Sequence, residues 1–285
     1  MKSRNSWLMP PGTRARASGA GDRDAVRIIV NADDLGMSEA VNDAIFEAMA
    51  LGRVSSATIL ANGPAVEDAA RRIGRFPDRS FGAHLNLTQF QPLTKNPRLA
   101  FLTGPDGAFA GRRDRLCRWS VALDQATADA LVDEWVAQVQ RLRQLDVPVS
   151  HIDSHNHSHL VVQLYGVLKR VQRRTGLARL RPAMNLFDGR IYSAGSLQRF
   201  KTSVRNALYR RFPDSTTPDH FTSLGAFISP AAHGGIRPGQ TVEVMVHPGH
   251  PACTDETGLL LGPWQDALPW PVEFVSYNDL RLPVK

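Results

Sequence analysis

The stretch Ile28-Ile-Val-Asn-Ala-Asp-Asp34, followed by Ser38 and a helical pattern to about Leu51, decides how this chain folds. A β-branched run leads into two acids. Ser38 is suited to cap the next helix, Glu39 suits its positive end, and Gly52 stands just past its last turn. The unit is strand, acidic loop, helix, and it recurs. Val54 to Leu60 predicts a second strand, Pro64 opens a helix through Ile73, and Phe81 to Leu87 predicts a third strand. Leu131, Trp135, Val139, Leu142 and Leu145 recur at three- and four-residue spacing on a helix from about Ala126 to Leu145, and Val149 to His155 follows as a strand. A helix at Val161 to Thr175, strands at Arg179 to Ala183, Phe221 to Ile228 and Thr241 to His247, and a helix at Ser196 to Arg211 complete the pattern. Strands alternating with helices imply a parallel sheet. About seven of them imply closure, so the expected α/β fold is a distorted (β/α) TIM-like barrel in a single domain over residues 26–285. An open doubly wound sheet is the alternative, but its nucleotide-binding versions lack both the Gly-x-Gly-x-x-Gly turn and the Walker loop here.

The 285 residues are 42% hydrophobic with a formal net charge of +7, an ordinary composition for one globular domain. The charge is unevenly placed: residues 1–27 hold six basic side chains against two acidic ones, +4 of the total. Rich in Pro, Gly, Ser and Ala without periodicity, residues 1–25 are expected to be a flexible basic extension. Arg-rich pairs at Arg112-Arg113, Arg173-Arg174 and Arg210-Arg211 match no nucleic-acid motif, so no nucleic-acid partner is expected. No apolar run is long enough to span a bilayer and the start lacks a secretory pattern, which makes a cytoplasmic location the expectation. Cys117 and Cys253 are far apart and form no Cys-x-x-Cys pair. The segment Gln91 to Arg115, broken by Pro92, Pro97, Gly104, Pro105, Gly107 and Gly111, reads as a long irregular loop of the kind that walls a substrate.

Three clusters of acid and imidazole stand at strand ends. Asp33 and Asp34 close the first strand, where barrel enzymes place catalytic groups, and adjacent acids on extended backbone point apart, which suits one to a metal and the other to protons. His84 shares the polar face of its strand with Asn86. In Ser150-His-Ile-Asp-Ser-His-Asn-His-Ser-His159, His151, Asp153, His155, His157 and His159 recur at every second position, so a strand persisting to His155 would place His151, Asp153 and His155 on one face. Near the C-terminus, Val242-Glu-Val-Met-Val-His247 repeats the pattern of an apolar strand ending in a reactive side chain, placing His247 for acid-base work.

Asn31-Ala-Asp-Asp-Leu-Gly36, Gly82-Ala-His-Leu85 with Pro92-Leu-Thr94, His151-Ile-Asp-Ser-His155 with His157 and His159, and Glu243-Val-Met-Val-His-Pro248 occur in an ordered set over most of residues 27–250. This set resembles the YdjC-like carbohydrate deacetylases, which include chitooligosaccharide deacetylases. The resemblance implies a distorted barrel that uses a divalent metal, Mg²⁺ or Zn²⁺, to remove acetyl groups from N-acetylated sugars or oligosaccharides. It also implies Asp34, His84 and His155 as metal ligands, Asp33 and His247 as proton-transfer groups, and His151, Asp153 and His157 as neighbours of the site. A homodimer is compatible with it. Residues 1–26 and the segment Arg190 to His220 depart from the family pattern. A metal-dependent hydrolase of a phosphoester or cyclic amide would use the same ligands, whereas a non-catalytic sugar- or metal-binding protein would not need Asp33 and His247. Phe90, Phe101, Phe109 and Trp119 are candidates for stacking on sugar faces or for packing.

Overall fold

The computed structural model describes residues 24–111, 123–188, 195–211 and 215–282. Its strands are β1 (Val26–Leu35), β2 (Ser56–Ile59), β3 (Ser80–Leu85), β4 (Val149–Ser154), β5 (His220–Ser223), β6 (Thr241–Val246) and β7 (Val272–Phe274). Every pairing among them is parallel, in the order β4-β3-β2-β1-β6-β5, and β7 lies against the start of β1. Residues 178–181 join the two ends of that row. Ile152 of β4 bridges to Leu180 and Arg179 bridges to Thr216, both parallel, and the Asn185 amide donates to the Phe221 carbonyl of β5. The sheet therefore closes into a distorted (β/α) barrel. The expected strand at Arg179 to Ala183 is present as these bridges rather than as a regular element.

Helices α1 (Glu39–Ala50), α2 (Val66–Ile73), α3 (Gln125–Gln144), α4 (Tyr165–Thr175) and α5 (Ser196–Arg211) follow their strands, with a single turn α6 (Leu224–Phe227) and α7 (Thr254–Leu261) near the C-terminus. Ser38 caps α1 by accepting the Val41 amide at 3.2 Å, and Asp124 caps α3 by accepting the Thr127 amide at 2.7 Å. α3 buries Leu131, Trp135, Val139 and Leu142, the stripe expected from their spacing, against the barrel. Truncating fully buried Trp135 to Ala would cost about 3–5 kcal/mol from transfer and cavity terms.

The barrel interior is polar where such barrels commonly hold aliphatic layers. Asn31, Ser56 and Ser80 stand in register across β1, β2 and β3, and the Ser80 hydroxyl donates to Ser56 at 2.9 Å. Beside them the ring of His151 stacks on Tyr277 with centroids 3.6 Å apart. Gly82 makes room for that stack, because a Cβ there would lie 2.6 Å from the imidazole.

Four expectations are corrected by the structure. The two acids lie within β1 itself, not on a loop after it. Phe221 to Ile228 is a strand only to Ser223, where the serine side chain accepts the Ala226 amide and starts α6. β4 ends at Ser154, so His155 leaves the face that holds His151 and Asp153. The segment after Gln91 contains a 3-10 turn, Pro97–Leu102, whose Leu99 and Leu102 enter the core with Phe109, so Phe109 packs rather than facing a substrate. Cys117, Trp119, the Arg112-Arg113 pair and the extension through Arg23 lie outside the described residues. No helix among the described residues is long and apolar enough to cross a membrane.

Candidate functional site

Local backbone distortions gather the side chains. The register of β1 on β2 shifts between Ala32 and Leu35, and Asp34 takes φ 68°, in the left-handed region that Asp tolerates better than most residues. This bulge brings two neighbouring acids to one end of the barrel with different partners. Past β4, Asn156 and His157 take φ 53° and 52°, two successive left-handed residues that turn the chain directly after His155. Such backbone persists only where its surroundings hold it. Here the Asn156 amide donates to Thr88 at 3.0 Å and the Ser158 hydroxyl to the His155 carbonyl at 3.0 Å.

The result is that one oxygen, Asp34 Oδ1, meets two imidazole nitrogens: His155 Nδ1 at 2.8 Å and His84 Nε2 at 3.2 Å. The other nitrogen of each ring is also held, His84 Nδ1 by Asp153 at 2.6 Å and His155 Nε2 by Gln89 at 3.0 Å. Thr58 donates to Asp153 at 3.0 Å, which fixes the carboxylate behind His84. Two imidazoles and a carboxylate are a donor set for a small divalent ion. The spacing fits as well, since ligands about 2.0–2.1 Å from a tetrahedral ion stand roughly 3.3 Å from one another. A carboxylate behind a ligating imidazole is the usual second support of such a site.

Charge points the same way. Arg181, fully buried, contacts Asp33 at 2.6 Å, Asp153 at 2.8 Å and Glu243 at 2.7 Å. With one guanidinium shared among three carboxylates, the close counter-charge of Asp34 is imidazole. Burial opposes the charge on His84, but Asp153 and Asp34 overcome it and push its pKa up to about 10. Asp34 is raised by burial and lowered more by its bonds to His155 and His84, which leaves it well below the usual carboxylate range. A cation of either kind, proton or metal, is therefore drawn to this point.

Asp33 has both oxygens held by Arg181, at 2.6 and 2.7 Å, and accepts from the Asn31 amide at 2.9 Å. Burial alone would raise its pKa, but the guanidinium holds it far below the ordinary value, so Asp33 is ionised at neutral pH. His247, just past β6, has its amide and Nδ1 directed at Glu256 Oε2, at 2.6 and 3.2 Å. Burial would lower its pKa, yet the bond to Glu256 and the charges of Asp33, Glu256 and Asp34 raise it above the imidazole norm. His247, Cys253 and Glu256 also bring donor atoms within 4.8 Å of one another, but burial pushes the Cys253 thiol up and leaves it a protonated, weak donor.

The remaining histidines of the tract are placed apart from Asp34. His151 stacks on Tyr277, and burial keeps it neutral. His159 is buried with Nδ1 on Ser154 at 2.6 Å, and His157 packs edge-on against Phe221. Glu243, hydrogen-bonded by Tyr277 at 2.5 Å, is raised by burial to about 7. Thr58, Gln89, Arg181 and Glu256 are site residues that the sequence reading missed. A second cation two residues after Arg179, within the stretch expected to be a strand, was the available signal for Arg181, whereas nothing in the turn-rich stretch around Glu256 marks it.

The family described as YdjC-like protein matches this chain over residues 27–274. A carbohydrate deacetylase from Geobacillus stearothermophilus is 33% identical over 222 residues, covering 78% of this chain and 79% of the relative. Carbohydrate deacetylases from Halalkalibacterium halodurans and Vibrio campbellii are 35% and 38% identical over 53% and 51% of this chain, spans that cover 62% and 55% of those relatives. A crystal structure of an Enterococcus faecalis protein named for cellobiose-phosphate cleavage superposes with a TM-score of 0.71 at 23% identity, covering 89% of this chain and 98% of that one. At that identity the likeness extends to the fold.

Proposed function

The chain belongs to the YdjC-like family, and on that premise we propose that it is a divalent-metal-dependent hydrolase that removes the acetyl group from an N-acetylated sugar or oligosaccharide, releasing acetate and a free amino sugar. The observation that carries the metal reading is the meeting of His84 and His155 on the single oxygen Asp34 Oδ1. Asp34, His84 and His155 would hold the ion, and two imidazoles with a carboxylate favour Zn²⁺ over Mg²⁺. When bound, such an ion polarises a carbonyl and lowers the pKa of water.

The protein's own groups would do the rest. Asp33, ionised and fixed by Arg181 and Asn31, is the proton acceptor for the attacking water. Because Arg181 holds its basicity down, Asp33 orients that water firmly and retains the proton only briefly. His247, with Nδ1 occupied by Glu256, keeps Nε2 as the nitrogen that can protonate the departing amine. Its raised pKa favours the charged form that a general acid needs. Asp153 and Gln89 orient the two imidazoles from behind. The relatives named carbohydrate deacetylases support an acetylated carbohydrate as substrate.

Incubating the full chain with N-acetylated mono- and oligosaccharides and measuring acetate tests the reading. Acetate release with stoichiometric free amine is expected. Hydrolysis of phosphoesters or cyclic amides in its place would overturn the substrate class while leaving the site chemistry intact.

A further inference from the structure

Helix α5 is built inside out. Toward the barrel it buries polar groups: Thr202, Asn206, whose side chain bonds both the amide and the carbonyl of Ala183 at 2.8 and 2.9 Å, and Tyr209, whose hydroxyl donates to the His159 carbonyl at 2.8 Å. Toward solvent it presents Leu197, Phe200, Val204 and Leu208, which are 65%, 66%, 43% and 47% exposed. Their spacing of three and four residues puts them on one stripe, turned roughly 165° from the buried side at 100° per residue. The same sixteen residues hold Arg199, Lys201, Arg205, Arg210 and Arg211 and no acid. By the same geometry Lys201 and Arg205 flank the stripe.

We propose that α5 is a membrane-surface helix that lays its apolar stripe into an anionic lipid bilayer. An apolar stripe with cations beside it is the composition that binds an anionic interface, apolar side chains entering the acyl boundary and cations meeting the headgroups. Charge complementarity selects this occupant over a second copy of the chain, because pairing two α5 stripes would bring the Lys201 and Arg205 of one copy toward those of the other with no acid on either helix to offset them. The helix is too polar and too short to span, so it lies on the surface. Its bond from Tyr209 to His159 ties it to the turn that carries His155, so docking brings that turn to the membrane side of the molecule.

Co-sedimentation of the full chain with vesicles tests this. Binding to phosphatidylcholine vesicles containing about 30% phosphatidylglycerol should exceed binding to pure phosphatidylcholine by at least about tenfold and weaken as salt is raised. The double variant Phe200→Ser, Leu208→Ser keeps every cation, including those of residues 1–27, and should lose at least about tenfold of that binding by removing apolar contact. Its melting temperature and its acetate release from a soluble N-acetylated sugar should match the parent, since both side chains face away from the barrel. Unchanged vesicle binding by the variant, or equal binding to neutral and anionic vesicles, overturns the proposal. So does a parent that ignores vesicles but forms a dimer, seen by sedimentation velocity, that the variant abolishes.

Discussion

Loading the Asp34, His84 and His155 cluster with Zn²⁺ should expel a proton. In the metal-free protein His84 faces a carboxylate at each nitrogen, Asp153 at 2.6 Å from Nδ1 and Asp34 at 3.2 Å from Nε2, and its pKa is about 10 despite burial. A cation taken up at Nε2 competes with the proton there, while Nδ1–H stays on Asp153. Below about pH 10 the apparent affinity should therefore rise about tenfold per pH unit, or about a hundredfold between about pH 6.5 and 8.5. Calorimetric titration of the chelator-stripped protein in two buffers of different ionisation enthalpy reads the proton count directly, and about one proton per ion is expected near pH 7.5. Asp153→Asn, which removes the charge behind Nδ1, should lower the His84 pKa and reduce that release. An affinity flat across the same range with no proton released would refute the reasoning, because His84 would then be neutral beforehand or no ligand at all.

Arg181→Leu leaves Asp33, Asp153 and Glu243 without their cation and should cost about 3–5 kcal/mol, a fall in melting temperature of about 6–20 °C; a fall under about 2 °C would show that the network relaxes by taking up protons. Glu243 has a folded pKa of about 7 against an ordinary 4.5, so its native state keeps a proton that the unfolded chain has released. Its contribution is fully present below the ordinary value and is lost as pH rises through the folded one. The parent should therefore lose stability between about pH 5 and 8 more steeply than Glu243→Gln in urea unfolding, and parallel curves would contradict this. His247→Ala should reduce kcat/KM on an N-acetylated sugar by about a hundredfold or more and on an activated acetate ester far less, because the amine leaves only when protonated. Glu256→Gln removes a charge that raises the His247 pKa, so the basic limb of the pH profile should move to lower pH; an unmoved limb would detach Glu256 from His247.

The alternation of strands and helices was legible because β1 to β4 and α1 to α4 carry their own end signals. Ser38 caps α1 and Gly52 stands just past its end at φ 72°, both by local chemistry, and apolar periodicity assigned the buried face of α3. What escaped was decided by tertiary contacts. β7 is three residues long and exists because the start of β1 offers a free edge, while residues 178–181 act as a strand only because β4 and β5 stand on either side. The site residues that resemblance suggested lie close together, but the sequence argument for His155 used the wrong geometry. β4 ends before His155, and the chain turns left-handed at Asn156 and His157 directly after it, a conformation that alternation cannot register. Arg181 and Glu256 became visible only as partners, one by the three carboxylates around it and the other by its bonds to His247. The inverted polarity of α5 was hidden too, since a helical stripe of Leu, Phe, Val and Leu normally predicts the buried side.

Acetate release from an N-acetylated sugar by chelator-stripped protein, before and after one equivalent of divalent metal is returned, tests the central claim most directly. Activity should be absent in the stripped parent and restored by the metal, Zn²⁺ better than Mg²⁺, while His84→Ala and His155→Ala should stay inactive under the same addition. Full turnover by the stripped parent would contradict the account, and so would restoration of the two variants to the parent's rate.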